Sequence, residues 1–210
     1  MDKLETALSS FLGRSENVGS LSRVLSLVSK TRRIHFEGIE KVAGNDSEDV
    51  LILGNEWRLL IPVRTLKSSA WEDRILRAEA GEVYEVPNIV IYLMEIAGDM
   101  GWWAPAHAVA RLFKAMGESE WNRIPGIVEI MGKKAESYRI NAVQIREICT
   151  ESGLGNKVDT LIAELKGSGV MSPQLSSFPE VIKAGAPLYE LNPSVIVNGL
   201  PRLYTMRSLA

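Results

Sequence analysis

Residues 145–173 read IREICTESGLGNKVDTLIAELKGSGVMSP. Two amphipathic stretches stand here almost end to end. In the first, Val143, Ile145, Ile148 and Cys149 recur at helical spacing over Ala142–Glu151; in the second, Val158, Leu161, Ile162 and Leu165 follow the i, i+3, i+4, i+7 pattern. Gly153 and Gly155 bracket the break between them, where glycine takes the positive φ that ends a helix. Asn156 is placed to cap the second helix, and Gly167 and Gly169 stop it. Two helices joined this tightly predict a helix-turn-helix.

Working outward, SYRIN (137–141) reads as a short strand leading into the first of these helices, and VMSPQL (170–175) and PLYELN (187–192) read as two strands joined by the loop Ser176–Ala186. Upstream, a helix begins near Trp121 and is firmest over Gly126–Lys133, with Pro125 near its start. Residues 126–193 therefore resemble the winged helix-turn-helix superfamily. The resemblance implies that Asn156–Lys166 occupies the recognition-helix position and that Ser176–Ala186 is the wing. It covers about a third of the chain, and it specifies a fold more than a function, since winged helices also serve as protein-interaction modules.

The N-terminal part carries a faint echo of this pattern. Helices are predicted over Leu4–Leu12 and Ser20–Lys30, and RIHFEGIEKVAG (33–44) suits a short third one. After the polar turn NDSED (45–49), the segment Trp57–Leu66 is β-like. Arg33-Ile34 aligns with Arg139-Ile140, DVLI from Asp49 with DTLI from Asp159, and LIP at 60–62 falls beside VMSP at 170–173, with an offset that drifts from 106 to 111 residues. Ser20–Leu66 is thus a candidate for a second, degenerate winged helix. Between the two copies come a charged connector, predicted helical over Ser68–Gly81, and the most apolar block of the chain: a buried helix over Asn88–Met100, a turn at Gly101–Trp103, and a helix opened by Pro105. The expected fold is mainly α with small β-wings. Its divisions are a degenerate module over 1–68, a helical middle block over 69–125 and a winged-helix module over 126–210.

At 210 residues and 46% hydrophobic content the chain can bury a sizeable core. Its lone cysteine and two histidines cannot assemble a zinc site, and Cys149 lies in an apolar register that suits core packing. No apolar run approaches bilayer length and the N-terminus MDKLETALSS is charged, so a cytoplasmic location without membrane contact is expected. The sequence contains no GxGxxG, GxxxxGK[ST], GxSxG, HExxH or CxxC, and neither an enzyme nor a cofactor is expected. His107, on an otherwise apolar helix, reads as a hydrogen-bonded packing residue.

Net charge is −2, which is weak support for nucleic-acid binding, and the acidic excess lies in the middle block. Read through the resemblance, the chain is a DNA-binding, transcription-regulator-like protein. Asn156, Lys157, Thr160 and Lys166 would face double-stranded DNA from the recognition helix, and the basic pair Arg32 and Arg33 would contact phosphate. A homodimer would form through the middle block at Trp102 and Trp103. The competing expectation is a winged-helix protein-interaction or assembly module that touches a protein partner and no nucleic acid. Convergence of Lys157, Lys166, Arg32 and Arg33 on one face would favour DNA, and their dispersal among carboxylates would favour a protein.

Overall fold

The computed structural model describes residues 2–13, 16–174 and 186–197, and all structural statements below concern these. The molecule is mainly helical with two small antiparallel sheets. In chain order it runs α1 (Lys3–Leu12), α2 (Val18–Val28), β1 (Arg33–His35), α3 (Phe36–Ala43), α4 (Ser47–Glu56), β2 (Ile61–Pro62), β3 (Val83–Glu85), α5 (Asn88–Met100), α6 (Pro105–Ala115), α7 (Ile124–Lys134), β4 (Arg139–Asn141), α8 (Ala142–Glu151), α9 (Val158–Ser168), β5 (Met171–Gln174) and β6 (Leu188–Leu191).

The order from α2 to β3 recurs from α7 to β6: helix, strand, two helices, two strands. In both sheets the last strand lies between the other two, giving β1-β3-β2 and β4-β6-β5. Register repeats as well. Tyr84 is flanked by Ile34 and Pro62, and Tyr189 by Ile140 and Pro173. Each proline sits on an edge strand, where the missing N–H costs no ladder bond. The backbone repeats its unusual conformations too. Positive φ occurs just before the first strand at Arg32 and Tyr138, after the next helix at Gly44 and Gly153, and before the second strand at Arg58 and Gly169.

Several sequence expectations shift. The first three residues of 33–44 form β1 rather than helix, because Ile34 pairs opposite Tyr84 in the sheet. The polar stretch 45–49 contributes the first turn of α4. The connector 68–81 holds only a single 3-10 turn, Trp71–Asp73, and it is followed by β3, which belongs to the first sheet. The N-terminal repeat therefore runs past the boundary expected at residue 68. Asn156 does not cap α9: it lies in a 3-10 turn, and Lys157 precedes the helix without a side-chain cap. A capping box is found instead at α8, between Asn141 and Gln144. The expected wing falls almost wholly on 175–185, outside the described residues.

One hydrophobic cluster runs through both repeats. α5 packs between α1 and α6, with Ile89, Val90, Leu93 and Ala97 fully buried, which explains its all-round apolar sequence. Phe11 of α1 sits between Trp57, which it meets edge to face with ring centroids 5.1 Å apart, and Trp103, tilted at 4.8 Å. Trp103 donates its indole N–H to the Ser194 carbonyl at 2.7 Å.

The repeats also meet along a polar seam. Asn192, fully buried, donates through Nδ2 to the carbonyls of Gly169 (3.1 Å) and Arg58 (3.4 Å) and through its backbone N–H to Val170 (2.8 Å). Its Oδ1 accepts from the Ser194 backbone (3.0 Å) and hydroxyl (2.7 Å). Beside it Arg58 pairs with Glu190 at 2.8 Å and lies over the Trp71 ring, whose backbone N–H donates to Ser172 Oγ at 3.0 Å. The seam has a pseudo-twofold character. Arg58 touches Asn192, which follows the last strand of the other repeat, and Gly169 touches Pro87, which follows the last strand of the first.

A Cβ on Gly169 would stand 2.6 Å from the Pro87 Cβ, and φ there is +78°. Gly169→Ala is expected to destabilise the fold by at least about 2 kcal/mol, combining left-handed strain with overpacking against a ring that cannot rotate away. Gly117, at φ +84° with open space around it, should cost only about 1 kcal/mol on the same change. Urea denaturation of the two variants measures the difference, and equal losses would contradict a tight contact at Pro87.

Candidate functional site

The seam leaves a groove of about 550 Å³ beside it, walled by both repeats. Arg32 enters from the turn before β1, and its Nη1 donates to Asn88 Oδ1 at 2.8 Å. Arg33 follows on β1 and reaches across the sheet to Glu85 of β3, its register partner, at 3.3 Å. Arg74 comes from the end of the 3-10 turn. Its Nη1 donates to the Pro62 and Val63 carbonyls (2.9 and 3.1 Å), and its Nη2 pairs with Glu85 at 3.4 Å. The buried Nε of Arg74 has no acceptor among the described residues. From the second repeat, Lys166 and Gly167 of α9 and the strand residues Met171–Pro173 complete the wall. Glu85 is the sole carboxylate among the described lining residues, against four cations. A second groove of about 190 Å³, between α6, α7 and residues 195–196, is apolar with one carboxylate, Glu129, and no cation.

Of the six residues expected at DNA, the fold brings Arg32, Arg33 and Lys166 together at the groove. Asn156 and Lys157 lie in the 3-10 turn before α9 and Thr160 in its first turn, six to ten residues from Lys166, or about 9–15 Å at 1.5 Å per residue. Lys157 is engaged there: its Nζ bonds Glu118 Oε1 at 2.6 Å and Ser119 Oγ at 2.9 Å. The Lys157 ammonium, helped by the Glu120 backbone N–H, holds the Glu118 carboxyl down at about 2. Asn156 and Thr160 are exposed, and the neighbouring Asp159 pairs with Arg146 at 3.3 Å.

The expected dimer contact divides. Trp103 is buried inside the chain and is an anchor between the repeats, not a surface for a second copy. Trp102 is 56% exposed, beside exposed Met100. His107 is exposed on α6 rather than packed. Cys149 is buried in the core, and burial pushes its thiol pKa up, which disfavours the reactive thiolate.

Arg74 escapes the motif-based reading because it sits in the stretch taken for a connector, and Glu85 because it falls between that stretch and the helix expected from Asn88. A signal was available in VYEVPN (83–88), which parallels LYELNP (188–193) and would have placed Glu85 on a strand beside Arg33.

Residues 3–199 match the model of an uncharacterised protein family, and the chain belongs to that family. The match covers both repeats and the helices between them. No curated protein and no solved structure matches the chain. Among the described residues no helix is long and apolar enough to cross a membrane.

Because the Glu118 carboxyl lies at about 2, below its ordinary 4.5, its pair with Lys157 contributes stability that is fully present above pH 4.5 and is lost as pH falls from there toward 2. Lys157→Met should move the Glu118 titration back toward the ordinary value and flatten that part of the stability profile. Side-chain carboxyl NMR titration of both proteins reads this directly, and an unmoved Glu118 would contradict the assignment.

Proposed function

We propose that both repeats are winged helices and that the chain works as a tandem winged-helix interaction module, docking a protein partner rather than reading DNA. The observation that carries this reading is the surface of the two helices that would enter a major groove. α4 exposes Glu48, Asp49, Ile52 and Glu56. Three carboxylates on such a helix oppose duplex DNA, which carries about one negative charge per 1.7 Å of axis. α9 exposes Asp159 and Thr160 at its start, and Lys157 is held by Glu118.

The same α4 face suits a basic protein segment. Ile52, 47% exposed, offers an apolar anchor, and the ring of carboxylates around it supplies charge complementarity and orientation. Exposed Trp102 and Met100 add a second apolar patch of the kind found at protein interfaces.

The DNA-regulator reading keeps one observation in its favour, the gathering of Arg32, Arg33 and Lys166 at one groove, where they could contact phosphate. The pseudo-twofold within the chain would then serve in place of a homodimer.

Fluorescence anisotropy with random duplex DNA and fragments of the native genome, across a salt series, separates the two. The interaction reading predicts no salt-dependent binding, together with a partner captured from native extract that Ile52→Asp fails to retain. Binding that falls steeply with salt and is weakened by Lys166→Ala would replace it with the DNA reading.

A further inference from the structure

We infer that the groove between the repeats is a binding site for a diphosphate-bearing small molecule. This goes beyond the interaction reading and does not depend on it. Arg32, Arg33, Arg74 and Lys166 line a cavity of about 550 Å³ with Glu85 as the one carboxylate among its described lining residues. That volume falls inside the roughly 300–1,000 Å³ range of small-molecule sites. The excess of three positive charges in a concave site calls for an anion of two or more charges, and guanidinium forks match the oxygens of a phosphate.

The cations are not all spent within the fold. Among the described residues Lys166 has no ion-pair partner, and the side chain of Arg32 bonds the neutral Asn88 side chain and no carboxylate. Arg74 is fixed by two carbonyls, its side chain is only 14% exposed, and its buried Nε lacks an acceptor. Glu85, shared by Arg33 and Arg74, fixes both guanidiniums in the groove wall, so that an anion meets two prearranged donors there and less side-chain entropy is lost on binding. The site exists only in the fused pair: Lys166 belongs to the second repeat and the three arginines to the first, so a bound anion also bridges the two.

Isothermal titration calorimetry of the full chain at low salt with inorganic pyrophosphate, ADP and adenosine tests this. Pyrophosphate and ADP are expected to bind and compete with one another, with adenosine far weaker. Arg33→Gln and Lys166→Gln should each weaken pyrophosphate binding about tenfold, the loss of one charge-assisted hydrogen bond. Both positions are exposed, so these variants should melt as the wild type does, and Lys157→Gln, outside the groove, should leave binding unchanged. Binding of pyrophosphate without ADP would support the site and exclude a nucleotide as its source. Saturable binding of neither, or binding unaltered in the Arg33→Gln/Lys166→Gln double variant, would overturn the assignment. So would displacement of bound pyrophosphate by duplex DNA at equal phosphate concentration, which would give the groove to a nucleic-acid backbone.

Discussion

The Asn192 side chain is buried where the two repeats touch, and a buried amide tolerates no loose fit. It has two donors and an acceptor to satisfy, and each left unpaired costs about 1–3 kcal/mol. Here they are spent on the Gly169 and Arg58 carbonyls and on Ser194. Arg58 and Gly169, whose carbonyls face the seam, both turn with positive φ. Arg58 then lies where it can pair with Glu190 and cover Trp71. Relative placement of the repeats follows from this knot together with the Phe11–Trp103 contact on the apolar side.

What the seam fixes, the surface inherits. Arginines of the first repeat face the end of α9 only because Gly169 lets Pro87 come close. The same fusion places two modules of one element order and one strand order inside a single chain. Trp103 is absorbed by this arrangement and Trp102 is left at the surface, which separates two residues adjacent in sequence into an internal and an external role.

Helices with strong periodicity were legible. Ala142–Glu151 and Asn88–Met100 are found with the expected bounds, because an amphipathic stripe in the first and a nearly continuous apolar run in the second, each closed by glycine or proline nearby, leave little choice. The repeat was legible in outline, since the Ile of each Arg-Ile pair and the Pro of each edge strand flank the same tyrosine position in the two sheets. Other features were not. β1 and β3 are three residues long and hold their shape through pairing across some fifty positions, which no local pattern reports. The candidate site failed for a related reason. Lys157 looks free along the chain, yet Glu118, thirty-nine positions earlier, captures it. Arg74 looks like one charge in a polar connector until the sheet brings Glu85 to it.

If the seam joins the repeats as described, they cannot melt separately, because breaking either one exposes Asn192, Glu190 and the shared apolar cluster. Differential scanning calorimetry of the intact chain tests this most directly. The account predicts a single transition whose calorimetric and van't Hoff enthalpies agree. Two resolved transitions, or a calorimetric enthalpy well above the van't Hoff value, would mean that the repeats are independent domains and would contradict it.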